Sequence, residues 1–483
     1  MTTTDWDVIV VGGGPAGSTA ATITSLDGHR VLLLERDVLP RFQIGESLLP
    51  STIHGIIPLL GMRDEIERAG FIRKNGGTFR WGASDEPWTF AFAASPDMIE
   101  LGAYGYQVER MKFDEMLLRN AERQGVEVRQ NHGVNGVLET EGRVGGVTFT
   151  DDKGQRRSAT AKFVIDASGH GSRIHRAVGG DREYSPFFRN LAVFSYFEDG
   201  GRLPEPNSGN ILSAAFDDGW FWYIPLSDKL TSVGAVVSAD KAASIQADPD
   251  AALRSFITQC PLVDRYLRGA RRSTAAPYDK VRVRKDYSYD RPSLWRPGMA
   301  VVGDAAMFID PVFSSGVHLS TYGALLAARA INTHLAGSAD EATCFSEFET
   351  RYRLEFAIFR DFLVAFYKMN RTEESYYWEA KRVAHHDGSV LEAFLDVVGG
   401  MMARDIVPPG GLPPEAKTMP IPPAMIGGFA KGMEMGIRDM RGAVDRGAPM
   451  PAAASKFVPS ADGRRWQVPA DHVDPDTRQA VGR

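Results

Sequence analysis

Two cysteines, Cys260 and Cys344, are all that 483 residues contain, too few for a disulfide framework or a cysteine metal site. Histidine is scarce as well. His385 and His386 are adjacent and so cannot share a helix face, and no metal-ligand spacing occurs elsewhere; no metal is expected. No run of about 18 apolar residues exists, so no bilayer-spanning helix is expected. Basic residues do not outnumber acidic ones: the formal charge of −6 gives no general attraction to nucleic acid or an anionic membrane. The opening stretch "MTTTDWDVIVVGGG" enters a strand without the basic and apolar regions of a signal peptide, so a cytoplasmic location is the expectation. The length and an ordinary apolar fraction leave room for a large core and two or three structural units.

What is present begins with "DVIVVGGGPAGSTAATITSLDGHRVLLLERD". Asp7 to Val11 is a short apolar run suited to a buried parallel strand. Gly12, Gly14 and Gly17 form GxGxxG: the first two let the chain turn tightly against a pyrophosphate, and the third lets helix and sheet pack closely. Pro15 opens the helix, where its missing N–H costs nothing, and Ala16, Ala20 and Ile23 give one apolar face. Val31 to Leu34 form a second strand ending in Glu35, an acid placed for a ribose hydroxyl. An acid there disfavours a 2′-phosphate, so the nucleotide is FAD or NAD. Downstream, "RPGMAVVGDAAMFIDPVFSSGVHLSTYGALLAARAI" supplies another strand, Met299 to Val302, then Gly303 and Asp304, then a helix over 316–331. Asp304 can accept a hydrogen bond from a ribityl or ribose hydroxyl. A second GxGxxG is missing; "DASGHGSRI" from Asp166 comes closest, so a separate nicotinamide-binding domain is not expected.

Three further stretches carry chemistry. In "SAAFDDGWFWYIPLSDKLTSVGAVV", Trp220 and Trp222 stand at i and i+2, which puts two indoles on one face of a strand. In "GFIRKNGGTFRWG", Lys74 lies between Gly70-Phe71 and Gly76-Gly77, glycines that allow tight turns around it, with Arg73 as its rival. In "DPVFSSG", the backbone N–H groups and hydroxyls around Ser314, Ser315 and Gly316 at a helix start suit a small anion. Residues 339–382 read as long amphipathic helices whose apolar stripe is core. Residues 407–425 are broken by proline and glycine; a short helix, "IGGFAKGMEMGIRDMRGAV", and a polar tail follow.

The glycine turn, "YQVERMKFDEML" and the Gly303-Asp304 strand end together resemble the flavoprotein monooxygenase superfamily. That resemblance implies an α/β, Rossmann-like FAD-binding fold with a substrate-side antiparallel sheet and a helical C-terminal region. It also implies FAD as cofactor, with Gln107 and Arg110 along its adenosine and ribityl side. The expected core is 1–382, with FAD segments near 5–50, 104–180 and 296–335 and sheet segments near 70–103 and 185–295. Residues 383–483 would be a C-terminal region able to cover a substrate mouth or dock a carrier, with a packed ornament or a partly disordered tail as the equal alternative. "WFWYIP" matches the WxWxIP pattern of flavin-dependent halogenases. There Trp220, Trp222, Ile224 and Pro225 would keep the organic substrate off the flavin, chloride would intercept the flavin hydroperoxide, and Lys74 would be the catalytic residue handling hypochlorous acid. O2, chloride and reduced FAD from a separate flavin reductase are the implied reactants. Halogenases acting on free tryptophan carry a glutamate where this chain has Phe313, which sets it apart from that group. Longer motifs, among them "RFQIGESLLPSTIHG" and "GNILSAAFDDGWFWYIPLSDKLTSVGAVV", are similar to the halogenases of glycopeptide-antibiotic assembly lines, from about residue 5 to 382. They imply a tyrosyl or β-hydroxytyrosyl group on a peptidyl carrier protein as substrate. The competing expectations are a halogenase of a free phenol or pyrrole, an NAD(P)H-dependent aromatic hydroxylase, and a non-catalytic flavin-bound scaffold.

Overall fold

The strand Trp6–Val11 lies inside a sheet between Arg156–Asp166 and Val31–Leu34, parallel to both. In this computed structural model, residues 4–81, 86–94, 102–285, 288–368, 397–400, 404–406 and 457–467 are described. The sheet continues in parallel to Met299–Val301 on one side and Glu127–Arg129 on the other. An antiparallel branch, Gly133–Thr140 and Arg143–Thr150, joins at Arg156–Asp166. Strands buried on both faces need no alternation, which is why Val8–Val11 and Val31–Leu34 read as unbroken apolar runs. The helix Pro15–Leu26 packs against the helices Ser315–Leu335 and Arg110–Arg123, and every residue from Pro15 to Thr24 is buried. Its small residues, Ala16, Ser18, Ala20 and Ala21, permit that approach.

A second sheet runs Arg271–Arg272, Asn190–Glu198, Leu230–Ser238, Gly219–Pro225, Ile211–Phe216, Gly76–Arg80 and Trp88–Ala91, with Arg282–Lys285 also paired to Asn190–Glu198. All its pairings are antiparallel except Ile211–Phe216 with Gly76–Arg80. Alternation decides what each face does. Trp220, Trp222 and Ile224 enter the core shared with the first sheet. Phe221 and Tyr223 enter a separate cluster with residues of the helices Ala242–Ala247, Pro249–Gln259 and Pro261–Tyr266. The two indoles therefore face the nucleotide-binding half, as the i, i+2 spacing requires.

The long helix Glu341–Lys368 lies on Ser315–Leu335, and a methyl at Gly323 would fall 2.4 Å from the Tyr352 ring, so that crossing needs glycine. Residues 404–406 and 457–467 are tied to these helices by Arg329 and Arg351. The expected proline-broken stretch at 407–425, the short helix after it and residues 369–382 lie outside the described residues. Among the described residues no helix is long and apolar enough to cross a membrane, and no cluster of side chains could hold a metal.

Candidate active site

The glycine turn is shaped by contacts no side chain could share. Gly12 has φ +105°, and a methyl there would meet the Ala167 carbonyl oxygen at 2.5 Å; one at Gly17 would meet the Gly12 carbonyl oxygen at 1.8 Å. Gly14 caps the helix that begins at Pro15. Glu35 braces the turn from the next strand end: its Oε2 accepts from Gly13 N–H (2.5 Å) and its Oε1 from Asp37 N–H (2.9 Å). Each oxygen keeps a further lone pair for a ribose hydroxyl. Arg41, which the sequence reading passed over, puts Nη2 3.3 Å from where a Gly14 methyl would be, and Nη1 donates to Asp114 (3.1 Å). A guanidinium beside the positive end of a helix suits a pyrophosphate, with Asp114 holding Arg41 in place.

Arg110, at the start of the helix Arg110–Arg123, is buried and gripped by Asp114 through Nε (2.7 Å) and Nη2 (3.0 Å). Its Nη1 donates to the carbonyls of Ile44 and Gly45. Burial opposes its charge, yet Asp114 first, then Asp304 and Glu46, hold it above its ordinary value. Asp304 is half-buried; burial pushes its carboxyl up, with Arg110 the main opposing influence, and Ser320 Oγ lies 3.4 Å away. Gly303 donates to Tyr352 Oη (3.1 Å) and lies against Ala16. Gln107 is fully buried; its Nε2 donates to the Gly209 carbonyl (3.1 Å), while Oε1 has no partner. A cradle kept open by glycines, a guanidinium at its helix end and an orphaned amide oxygen fit a flavin dinucleotide. Gly12, Gly14, Pro15, Ala16, Gly17, Glu35, Gln107, Arg110, Gly303 and Asp304 are the residues the fold offers it.

Lys74 ends the short strand Ile72–Lys74, opposite Gly105. Alternation sends Lys74 inward and Arg73 outward, where Arg73 stacks 3.8 Å over Tyr104. Lys74 Nζ donates to Ser47 Oγ (2.9 Å) and lies 5.6 Å from the Phe92 ring. Burial alone pulls its amine down to about 7. One expectation is corrected: Gly76 does not make a turn. It lies in a strand, and a methyl there would strike the Phe90 carbonyl oxygen at 1.8 Å, so the glycine permits close strand approach.

The indoles of Trp220 and Trp222 stand 6.3 Å apart at 57°. Trp222 occupies the space that a side chain on its cross-strand partner Gly234 would fill: a methyl there would lie 2.2 Å from the ring. Ile224 and Pro225 are buried beside them. Trp222 Nε1 donates to Ser232 Oγ (3.1 Å). Ser232 and Tyr196 both bond the buried Glu46, Tyr196 at 2.7 Å. Glu46 precedes the Ser47 that holds Lys74, so one dipeptide links lysine and indole wall. Burial raises the Glu46 carboxyl to about 7 against Tyr196, Ser232 and Arg110. Nothing in a lone "GES" announces this; only the strand pairing brings Ser232 to it. Trp220 Nε1 donates to Tyr367 Oη (2.5 Å), and Tyr367 donates to Asp310 (2.9 Å).

Ser314 has φ +60°, and its N–H already donates to the Pro311 carbonyl (2.9 Å). Ser315 and Gly316 open the helix Ser315–Leu335, where first-turn amides have no partner within the helix, and Ser314 stands at its cap, its hydroxyl not engaged in a capping hydrogen bond. Phe313 turns into an aromatic cluster, 4.7 Å from Phe366, 5.0 Å from Phe362 and 6.0 Å from Phe79.

The family pattern described as tryptophan halogenase matches residues 7–103 and 96–405. A tryptophan 2-halogenase of Chondromyces crocatus is 36% identical over 391 residues, covering 80% of this chain and 72% of the relative. The flavin-dependent halogenase gsfI of Penicillium aethiopicum is 31% identical over 394 residues, 76% of this chain and 72% of its own. Among solved structures, the myxobacterial chondrochloren halogenase CndH, described as a variant of FAD-dependent halogenases, superposes with a TM-score of 0.77 at 49% identity, covering 96% of this chain and 99% of CndH.

Proposed function

The chain belongs to the tryptophan halogenase family of flavin-dependent halogenases, and from that premise we propose that it chlorinates a phenolic ring, a tyrosyl or β-hydroxytyrosyl group carried on a peptidyl carrier protein. Reduced FAD, delivered by a separate flavin reductase and bound in the glycine cradle, supplies with O2 the oxidation that turns chloride into hypochlorous acid. Ser315 and Gly316 hold the chloride through their amides. Trp220 and Trp222, backed by Ile224 and Pro225, keep the ring away from the cofactor, so it meets the small oxidant and not the flavin. Lys74 holds that oxidant at Nζ and presents its chlorine to the ring, whose hydroxyl activates the ortho carbons.

The observation that carries this reading is Lys74. A buried amine linked through Ser47 and Glu46 to two indoles, with an ordinary value lowered to about 7, is neutral in half the molecules near neutral pH. A neutral amine can accept a hydrogen bond from, or react with, hypochlorous acid; an ammonium cannot. The carrier-borne phenol is supported by the motif set alone. A second reading, an indole substrate, is favoured by the relative named a tryptophan 2-halogenase.

The test is mass spectrometry of a tyrosyl-carrier protein incubated with the protein, a flavin reductase, NADH, O2 and chloride, beside free tyrosine and free tryptophan. Chlorine isotope pattern on the tyrosyl group, lost in Lys74→Ala, is the expected result. Chlorination of free tryptophan alone would establish the second reading, and a hydroxylated ring would overturn the barrier role of the indoles.

A further inference from the structure

Asp310 sits immediately before the turn Pro311–Phe313 and the amides of Ser315 and Gly316, and it is fully buried. Its Oδ1 is doubly occupied, by Val312 N–H (3.1 Å) and by Tyr367 O–H (2.9 Å). Its Oδ2 is buried without a partner in hydrogen-bond geometry. The neutral side chain of Asn190, at the head of the strand Asn190–Glu198, also lies against the carboxyl and, like Tyr367 and Val312 N–H, favours its charged form. From the helix Glu341–Lys368 it meets the phenol of Tyr367, and through that phenol the indole of Trp220. No charged side chain is among the influences acting on it.

A buried carboxylate five residues ahead of two open amides would repel any anion placed on them. A carboxylic acid at the same position does the reverse. With Oδ1 accepting two hydrogen bonds, the proton resides on Oδ2, which is buried without a hydrogen-bond partner. We propose that Asp310 is a positioning residue for the halide, admitting it only in the protonated form, and that Tyr367 ties this acid to the indole barrier. The inference rests on the assignment of the halide to Ser315 and Gly316. Only a proton moves: it is taken up by Asp310 as the anion binds and is released with it.

Burial raises the Asp310 carboxyl to about 7, so the switch falls in an accessible range. The FAD-loaded protein would be titrated with chloride and followed by line broadening of the chloride nucleus in NMR, a readout that needs no turnover. For an acid titrating near neutrality, wild-type affinity should weaken about thirtyfold between about pH 6 and about pH 8.5. Asp310→Asn, which removes the titration and the charge, should bind chloride with one affinity across that range. Tyr367→Phe removes a hydrogen bond that favours the carboxylate, so its affinity should persist to higher pH than in wild type. Binding that is strong and independent of pH in wild type and Tyr367→Phe alike would overturn the role of Asp310 while leaving the chloride site standing. No binding at either pH would overturn the chloride site and this inference with it.

Discussion

At the scale of single residues the site is a set of buried groups held away from their preferred charge. Lys74 is the plainest. Its amine ionises near 7 in the folded chain against 10.5 ordinarily, because burial disfavours the ammonium. Between those two values the folded chain binds fewer protons than the unfolded one, so stability rises with pH across that window. As pH falls to 7 that stability is lost, and below 7 the penalty is complete. Lys74→Met should therefore abolish chlorination yet stabilise the protein at neutral pH by up to about 4 kcal/mol, with the gain shrinking toward pH 10. Urea unfolding of both proteins across that range measures it. A second expectation combines two residues. Activity at limiting chloride should rise with pH as Lys74 loses its proton and fall as Asp310 loses its own, giving a narrow bell centred near neutrality. In Asp310→Asn the falling limb should disappear, and initial rates at fixed low chloride across pH are the check.

At the scale of elements, spacing and strand pairing decide which side chains meet. The i, i+2 indoles, the GxGxxG turn and the Gly-Asp strand end are each local patterns with fixed periods, and each was legible because its consequence is local. Glu46, Arg41 and Tyr367 were not. Glu46 acquires Ser232 only through a pairing 186 residues away in sequence; Arg41 acquires Gly14 from a loop without periodicity. Tyr367 lies on a helix whose aromatic stripe is core along Phe345, Phe348, Phe359 and Phe362, and only its last turn reaches the barrier. The positive φ of Ser314, invisible in "FSSG", turns its amide back to Pro311. The pairing of Trp222 with Gly234 gives a test of the wall at this scale. Gly234→Val would put a side chain into the indole, where even a methyl comes within 2.2 Å, so the ring must rotate or shift. FAD binding, for which the glycine turn on the other sheet is the proposed cradle, should stay within about threefold of wild type, while chlorination falls at least tenfold; a hydroxylated ring appears if the substrate then reaches the flavin. Flavin titration and product mass spectrometry separate these outcomes.

At the scale of the whole molecule, the two sheets share one core, and the chain's last described segments brace it from behind. Asp405 accepts from Tyr322 O–H (2.9 Å), Arg329 Nη1 (3.1 Å) and Arg351 Nη1 (3.0 Å). Arg329 is buried and also donates to the Gly463 carbonyl (2.7 Å), and Arg351 reaches the Phe457 carbonyl (2.6 Å). Arg464 and Arg465 then hold Leu26 and Asp27, at the end of the first helix away from the glycine turn. Residues 457–467 thus staple these helices at the end away from the glycine turn, in keeping with a packed role for that short segment of the C-terminal region. Two-residue strands such as Val458–Pro459 and Trp466–Gln467 have no period to read, and arginine side chains do the anchoring. Asp405→Asn keeps the shape and removes the charge that two arginines share; Arg351 keeps Glu347 (2.6 Å), but the buried Arg329 loses the carboxylate it pairs with. Breaking such a pair costs about 3–5 kcal/mol. The variant should unfold at a temperature several degrees lower, with KM for a tyrosyl-carrier substrate unchanged below the transition, because the brace touches none of the residues around Lys74. A raised KM without loss of thermal stability would reverse the assignment and place this region at the substrate mouth.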